Sequence, residues 1–119
     1  MNAVEALQES RAKIEQGWCQ GTAAKNEYGA TTWANGSMAV EWCTTGAPAG
    51  VTWDSPELLF SEVVDSLSRA LRELWEIEWN EHKPWEPVES LTVWNDSPGR
   101  SKNEVLRLYD RAIELAKEA

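Results

Sequence analysis

Apolar side chains recur at regular spacing in three stretches of the chain, and elsewhere their spacing is irregular. The longest regular stretch follows Asp54-Ser55-Pro56-Glu57, whose polar cap, early proline and carboxylate are typical of a helix N-terminus. Spacings of three or four residues place its apolar positions on one helix face. These positions are Phe60, Val63, Val64, Leu67, Leu71, Leu74 and Trp75. We therefore predict a core helix over this stretch.

Two further helices are predicted towards the ends of the chain. A helix over residues 3–16 would carry Val4, Leu7 and Ile14 on one side, and Gly17 is placed to end it. Ser101-Lys102-Asn103-Glu104 forms a capping box, in which the hydroxyl and the carboxylate each bind an otherwise unpaired backbone N–H. The helix opened by this box has an apolar stripe for burial: Val105, Tyr109, Ala112, Ile113 and Ala116.

The region before the core helix shows turn signals. Glycine, asparagine and paired threonines make residues 19–34 a loop or a short hairpin, with its turn at Asn26-Glu27-Tyr28-Gly29. Ser37 can cap a short helix over residues 38–45, which Gly46 would close.

The region after the core helix is irregular as well. Two prolines among polar residues mark residues 78–87 as a connection. Leu91-Thr92-Val93-Trp94 is predicted to be a short strand or an extended stretch. The fold class that follows is mainly α: a single compact domain over residues 1–119 with three to four helices and a minor β-hairpin or short extended segments.

Composition narrows the functional classes. The chain has 119 residues, with 20 acidic and 11 basic side chains and a formal charge of −9, so it would repel a phosphate backbone and we expect no direct nucleic-acid binding. No apolar run exceeds three residues, which predicts no membrane association through a spanning helix. The N-terminal residues lack the pattern of a signal peptide. We therefore expect a cytoplasmic protein whose Cys19 and Cys43 are reduced.

The unusual residue is tryptophan, with eight copies beside one phenylalanine and two tyrosines. So many indoles do not all fit easily into a small core, because each buried N–H needs an acceptor. We expect some of them at a recognition surface. The candidate partner-binding residues lie at the end of the core helix and after it: Trp75, Trp79, Trp85, Glu76 and Glu78.

Charge around these residues indicates what kind of partner they would meet. Residues 57–89 carry nine acidic and three basic side chains, a net charge of −6, which would steer the protein towards a basic surface on another protein. The alternative is a solvated acidic face that only keeps the protein soluble.

Three short motifs also stand out along the chain. They are Gly17-Trp18-Cys19-Gln20-Gly21, Trp42-Cys43-Thr44-Thr45-Gly46-Ala47 and Trp94-Asn95-Asp96-Ser97-Pro98-Gly99-Arg100. Their order and spacing resemble an uncharacterised family of small bacterial and phage proteins, common in actinobacteria and known only as a domain of unknown function. The resemblance implies one intact domain of bacterial or phage origin, and it implies no activity.

The motifs supply the candidate ligand-binding residues, which are Trp18, Gln20, Cys43, Trp94, Asn95 and Asp96. Each residue also has a structural interpretation, since asparagine and aspartate often bond their own backbone in turns. Nucleophilic catalysis would need a cysteine beside His82, and the sequence supplies no such geometry. One histidine and two separated cysteines give no metal-ligand spacing, so we expect no metal and no cofactor.

The surplus of tryptophan, the acidic charge and the lack of a catalytic arrangement favour a non-enzymatic interaction protein over an enzyme. Its partner would be another protein, and a narrower version is a phage inhibitor of a host nucleic-acid enzyme that acts through its acidic face. A small-ligand or enzymatic pocket built from the three motifs is the second hypothesis. A homodimer formed through the surplus tryptophans is the third.

Overall fold

The computed structural model of the chain describes residues 1–75 and 86–119. A small antiparallel sheet and five helices are present in these ranges, which confirms the mainly α fold class. The elements are α1 (Ala3–Gln16), β1 (Ala24–Lys25), β2 (Glu41–Trp42), α2 (Gly46–Val51), α3 (Glu57–Trp75), α4 (Glu86–Asn95) and α5 (Lys102–Glu118).

The three helices with regular apolar spacing form as predicted. Helix α1 begins at a capping box of Asn2 and Glu5 and ends at Gly17, whose N–H donates to the Lys13 carbonyl at 3.0 Å. A Cβ at Gly17 would lie 2.2 Å from the Val40 carbonyl oxygen, so only glycine fits there. In the capping box of α5, Ser101 Oγ accepts the Glu104 N–H at 3.2 Å and Glu104 Oε1 accepts the Ser101 N–H at 2.9 Å.

The predicted helix over residues 38–45 is wrong. Residues 41–42 are β2, which pairs antiparallel with β1 in the register Ala24↔Trp42 and Lys25↔Glu41. Extended backbone is favoured here because Trp42 also donates its N–H to the Gly17 carbonyl at 3.0 Å. Gly46 begins α2 and does not end a helix. Its role is close approach, since a Cβ there would lie 2.0 Å from the Ala23 carbonyl oxygen.

The predicted strand or extended stretch at residues 91–94 is also wrong, because these residues belong to α4. Leu91 and Trp94, one turn apart, are both buried, so tertiary packing outweighs the strand propensity of threonine, valine and tryptophan. The Thr92 hydroxyl donates to the Val88 carbonyl at 2.9 Å. Pro87 is the second residue of α4, a position where a helix does not need its N–H.

The core lies where α5 packs against α1 and α3. Its fully buried side chains include Leu7, Ile14, Leu67, Leu71 and Tyr109. In the predicted stripe of α5, Val105, Tyr109 and Ala112 are buried, while Ile113 and Ala116 are partly buried against the core. None of the helices in the described ranges combines the length and apolar character that a membrane crossing requires.

Candidate functional site

The side chain of Asn95, at the end of α4, joins the three motifs. It is fully buried, and its Oδ1 accepts the Trp18 Nε1–H at 2.8 Å, the Thr44 N–H at 2.9 Å and the Thr44 hydroxyl at 2.6 Å. Its Nδ2 donates to the Cys19 carbonyl at 3.2 Å and to Asp96 Oδ1 at 2.9 Å. Every polar atom of this amide therefore bonds to the protein itself.

Further hydrogen bonds hold the first motif against the end of α4. Gln20 Nε2 donates to the carbonyls of Asn95 at 2.9 Å and Ser97 at 3.1 Å, which satisfies acceptors that a helix end leaves unpaired. The Gly21 N–H donates to Asp96 Oδ1 at 3.0 Å. The buried Tyr109 hydroxyl donates to the Thr44 carbonyl at 2.6 Å, and this bond connects the junction to α5.

The structure therefore brings Trp18, Gln20, Asn95 and Asp96 into one hydrogen-bonded network, and Cys43 lines a pocket beside Asp96. Trp94 joins a different cluster. Its ring meets that of Trp75 edge-on with centroids 4.8 Å apart. Trp94 Nε1 is buried and finds no acceptor among the described residues.

The Cys19 thiol does not have the surroundings of an activated nucleophile. Burial, followed by the proximity of Cys43, raises the pKa of the Cys19 thiol to about 12, so it stays protonated at neutral pH. Cys43 Sγ accepts the Gly46 N–H at 3.3 Å. His82, the base that a cysteine mechanism would need, lies outside the described residues. Within residues 1–75 and 86–119, no group of three or more His, Cys, Asp or Glu side chains could hold a metal ion.

A small pocket of about 210 Å³ opens beside the network, and we call it the Asp96 pocket. Its lining comes from all three motif regions and from α4: Gly21, Thr22, Ala23, Cys43, Thr45, Thr92 and Asp96. The Thr45 and Thr92 hydroxyl oxygens lie 3.5 Å apart. Polar side chains in this pocket thus include a carboxylate, hydroxyls and a thiol.

A larger cleft of about 600 Å³ adjoins this pocket, and we call it the tryptophan cleft. Its lining residues are Thr22, Ala23, Thr31, Thr32, Trp33, Ala34, Asn35, Ala49 and Trp53. Trp33, in the loop between the two strands, is 81% exposed, and Trp53, between α2 and α3, is 70% exposed. Sequence reasoning missed both residues. The available signal was that neither belongs to a regular apolar row.

Of the five expected partner-binding residues, Trp75 is the one that lies within the described ranges. Trp75 is partly buried against Trp94, with the Arg100 and Arg107 guanidinium groups each 5.8 Å from its ring centroid. It is therefore not an open anchor. The other four expected residues, Trp79, Trp85, Glu76 and Glu78, lie outside the described residues. The exposed indoles of the described part of the chain are those of Trp33 and Trp53.

The fold and the site define a small, mainly helical domain in which the polar groups of the motifs bond to one another and two indoles of residues 1–75 and 86–119 face outwards. The chain belongs to DUF6197, a family of unknown function, whose sequence model matches residues 1–115. This match confirms the resemblance to an uncharacterised domain. No curated protein and no solved structure matches the chain. The function must therefore be argued from the site.

Proposed function

We propose that the protein is a non-enzymatic binding protein that recognises another protein through the tryptophan cleft. The observation that carries this proposal is the exposure of Trp33 and Trp53, at 81% and 70%, on one cleft of about 600 Å³. Contiguous exposed apolar patches mark interaction sites, whereas single exposed side chains are ordinary, and tryptophan is enriched among the residues that dominate binding energy.

The cleft is built on ordered backbone, which favours binding because little freedom is lost when a partner arrives. The Thr32 N–H donates to the Ala24 carbonyl at 3.1 Å, and Trp42 Nε1 donates to the Ala34 carbonyl at 3.0 Å. Helix α2 packs closely on the same loop, since a Cβ at Gly50 would lie 2.5 Å from the Ala34 carbonyl oxygen.

The openness of the cleft favours a protein over a small molecule as the occupant. A small ligand is usually enclosed by its pocket, whereas both indoles here remain mostly open to solvent. A partner surface can cover the two rings together and exclude water from them. The motif residues have a structural role beside the cleft, because the polar atoms of the Asn95 side chain form their hydrogen bonds within the protein.

The test compares proteins captured from cells of the source organism by three forms of the protein. These are the wild type, a Trp33→Ala/Trp53→Ala double variant, and a Tyr28→Ala control, which removes an aromatic side chain that is 82% exposed outside the cleft. We expect at least one protein to bind the wild type and the control directly, and the double variant about 30-fold more weakly, as for loss of a central hot spot. Partners that bind all three forms equally would contradict the proposal.

A further inference from the structure

We propose that the Asp96 pocket receives a lysine or arginine side chain from the protein segment that occupies the tryptophan cleft. This inference rests on the proposed function and specifies the partner. The juxtaposition that carries it is a fixed carboxylate in a small pocket directly beside a larger aromatic cleft.

The two cavities share a wall. Thr22 and Ala23 line both of them, so a chain lying in the cleft can extend one side chain past these residues to Asp96. The smaller cavity, at about 210 Å³, is below the usual size range of a site that holds a whole small ligand. Its size suits the end of a side chain that belongs to a larger molecule.

The Asp96 carboxylate is held in one orientation, and its Oδ2 can still accept a hydrogen bond. Its Oδ1 accepts the Gly21 N–H at 3.0 Å and the Asn95 Nδ2–H at 2.9 Å, and these two bonds fix the plane of the group. Among the described residues no donor binds Oδ2 and no basic side chain pairs with Asp96. A charged hydrogen bond to an oriented carboxylate is among the stronger polar interactions that a cation can make.

The other polar groups of the pocket suit a cation as well. The Thr92 hydroxyl donates its proton to the Val88 carbonyl, which leaves its oxygen able to accept a hydrogen bond. Thr45 places a second hydroxyl oxygen 3.5 Å away. Ammonium and guanidinium groups carry several donors and need several acceptors. Asp96 lies just beyond the C-terminus of α4, where the negative end of the helix dipole also favours a cation.

Charge on the whole molecule also selects a basic partner over a second copy of this chain. The protein carries a formal charge of −9, with 20 acidic side chains against 11 basic ones. Two such molecules meeting at this face would repel each other, whereas a basic segment would be attracted over a Debye length of about 10 Å at 0.1 M salt.

The experiment selects random 12-residue peptides, displayed on phage, against the immobilised wild-type protein. The best peptide is synthesised with its basic residue intact and with norleucine or citrulline in its place, and both forms are titrated by fluorescence anisotropy. The protein variants are Asp96→Asn and, as a matched control, Asp65→Asn, which removes an exposed carboxylate from α3 outside both cavities. The Asp96→Asn change retains a side-chain carbonyl oxygen that can accept the Gly21 and Asn95 N–H groups, so the fold is preserved.

We expect one basic residue flanked by apolar ones in the selected peptides. Asp96→Asn should weaken binding of the basic peptide about tenfold and leave binding of its uncharged form unchanged, while binding to Asp65→Asn stays within about twofold of the wild type.

Peptides that need Trp33 but show no basic preference would overturn this inference and leave the proposed function intact. Peptides whose binding through a basic residue is insensitive to Asp96→Asn would do the same. Spermidine that binds more tightly than the peptide and equally to Trp33→Ala would also overturn it, by making a free polyamine the occupant. Failure to select any peptide sensitive to Trp33→Ala would count against the proposed function itself.

Discussion

At the scale of single residues, the buried amide of Asn95 has the largest predicted effect on stability. Four of its five hydrogen bonds connect α4 to the first two motifs, and the fifth goes to the neighbouring Asp96. Asn95→Ala would leave the Thr44 N–H and the Cys19 carbonyl without their partner, and each buried polar group left unpaired costs about 1–3 kcal/mol. We expect the free energy of unfolding, measured by urea denaturation, to fall by about 3 kcal/mol.

The matched control is Asn103→Ala, which makes the same change at an exposed position near the start of α5. The two capping-box hydrogen bonds belong to Ser101 and Glu104, and an exposed side chain that makes neither of them usually changes stability by no more than about 0.5 kcal/mol when it is replaced. If the two variants unfolded at the same urea concentration, the network around Asn95 would not be a structural junction. The ligand-binding hypothesis for these residues would then regain support.

At the scale of elements, the capping box of α5 makes stability depend on pH. The hydrogen bond from the Ser101 backbone N–H lowers the pKa of Glu104, with a further contribution from Arg100, whose Nη1 is 3.0 Å from Glu104 Oε2. Because the pKa is lower in the folded state, this stabilisation is present above the unfolded pKa and is lost as pH falls through the folded pKa.

Glu104→Gln keeps the acceptor of the capping box but removes its charge. We expect this variant to be less stable than the wild type at pH 7 by about 0.5 kcal/mol, a small effect because the side chain is partly exposed. The difference in unfolding free energy should shrink towards zero in acid. Glu62→Gln, an exposed position on α3, serves as the control. A difference that stays constant from pH 7 into acid would show that the charge is not responsible.

The elements that sequence reasoning identified are those specified by neighbours along the chain. A capping box at Ser101 and the apolar rows of α1, α3 and α5 involve residues three or four positions apart. Gly46 and the 91–94 segment were misassigned because distant contacts decide them. The Ala23 carbonyl excludes a side chain at Gly46, and burial of Leu91 and Trp94 holds α4 in a helix.

The same distinction applies to the candidate site. The three motifs supplied Trp18, Gln20 and Asn95 as part of a set of six, and hydrogen bonds join these three across 75 and 77 positions. Trp94 of the same set packs against Trp75 instead. The surplus of tryptophan predicted a recognition surface with Trp75, Trp79 and Trp85 as its indoles, whereas Trp33 and Trp53 are the exposed indoles among the described residues. That outcome depends on how the strand-connecting loop lies against α2, and the only local signal is that neither Trp33 nor Trp53 belongs to a regular apolar row.

At the scale of the whole molecule, net charge and the tryptophan cleft act in opposite directions on self-association. Exposed Trp33 and Trp53 would favour pairing of two copies, since indole burial is favourable. A charge of −9 on each copy opposes pairing, and the repulsion extends about 30 Å at 0.01 M salt but only about 3 Å at 1 M. We therefore expect a monomer at low salt over a wide range of protein concentration, as measured by sedimentation equilibrium. Dimers that appear only at high salt, and disappear in Trp33→Ala, would identify the cleft as the apolar contact. A dimer already present at 0.01 M salt would contradict this prediction, because burial of the indoles would then outweigh the unscreened repulsion. In that case a second copy of the chain, and not a basic partner, would occupy the cleft.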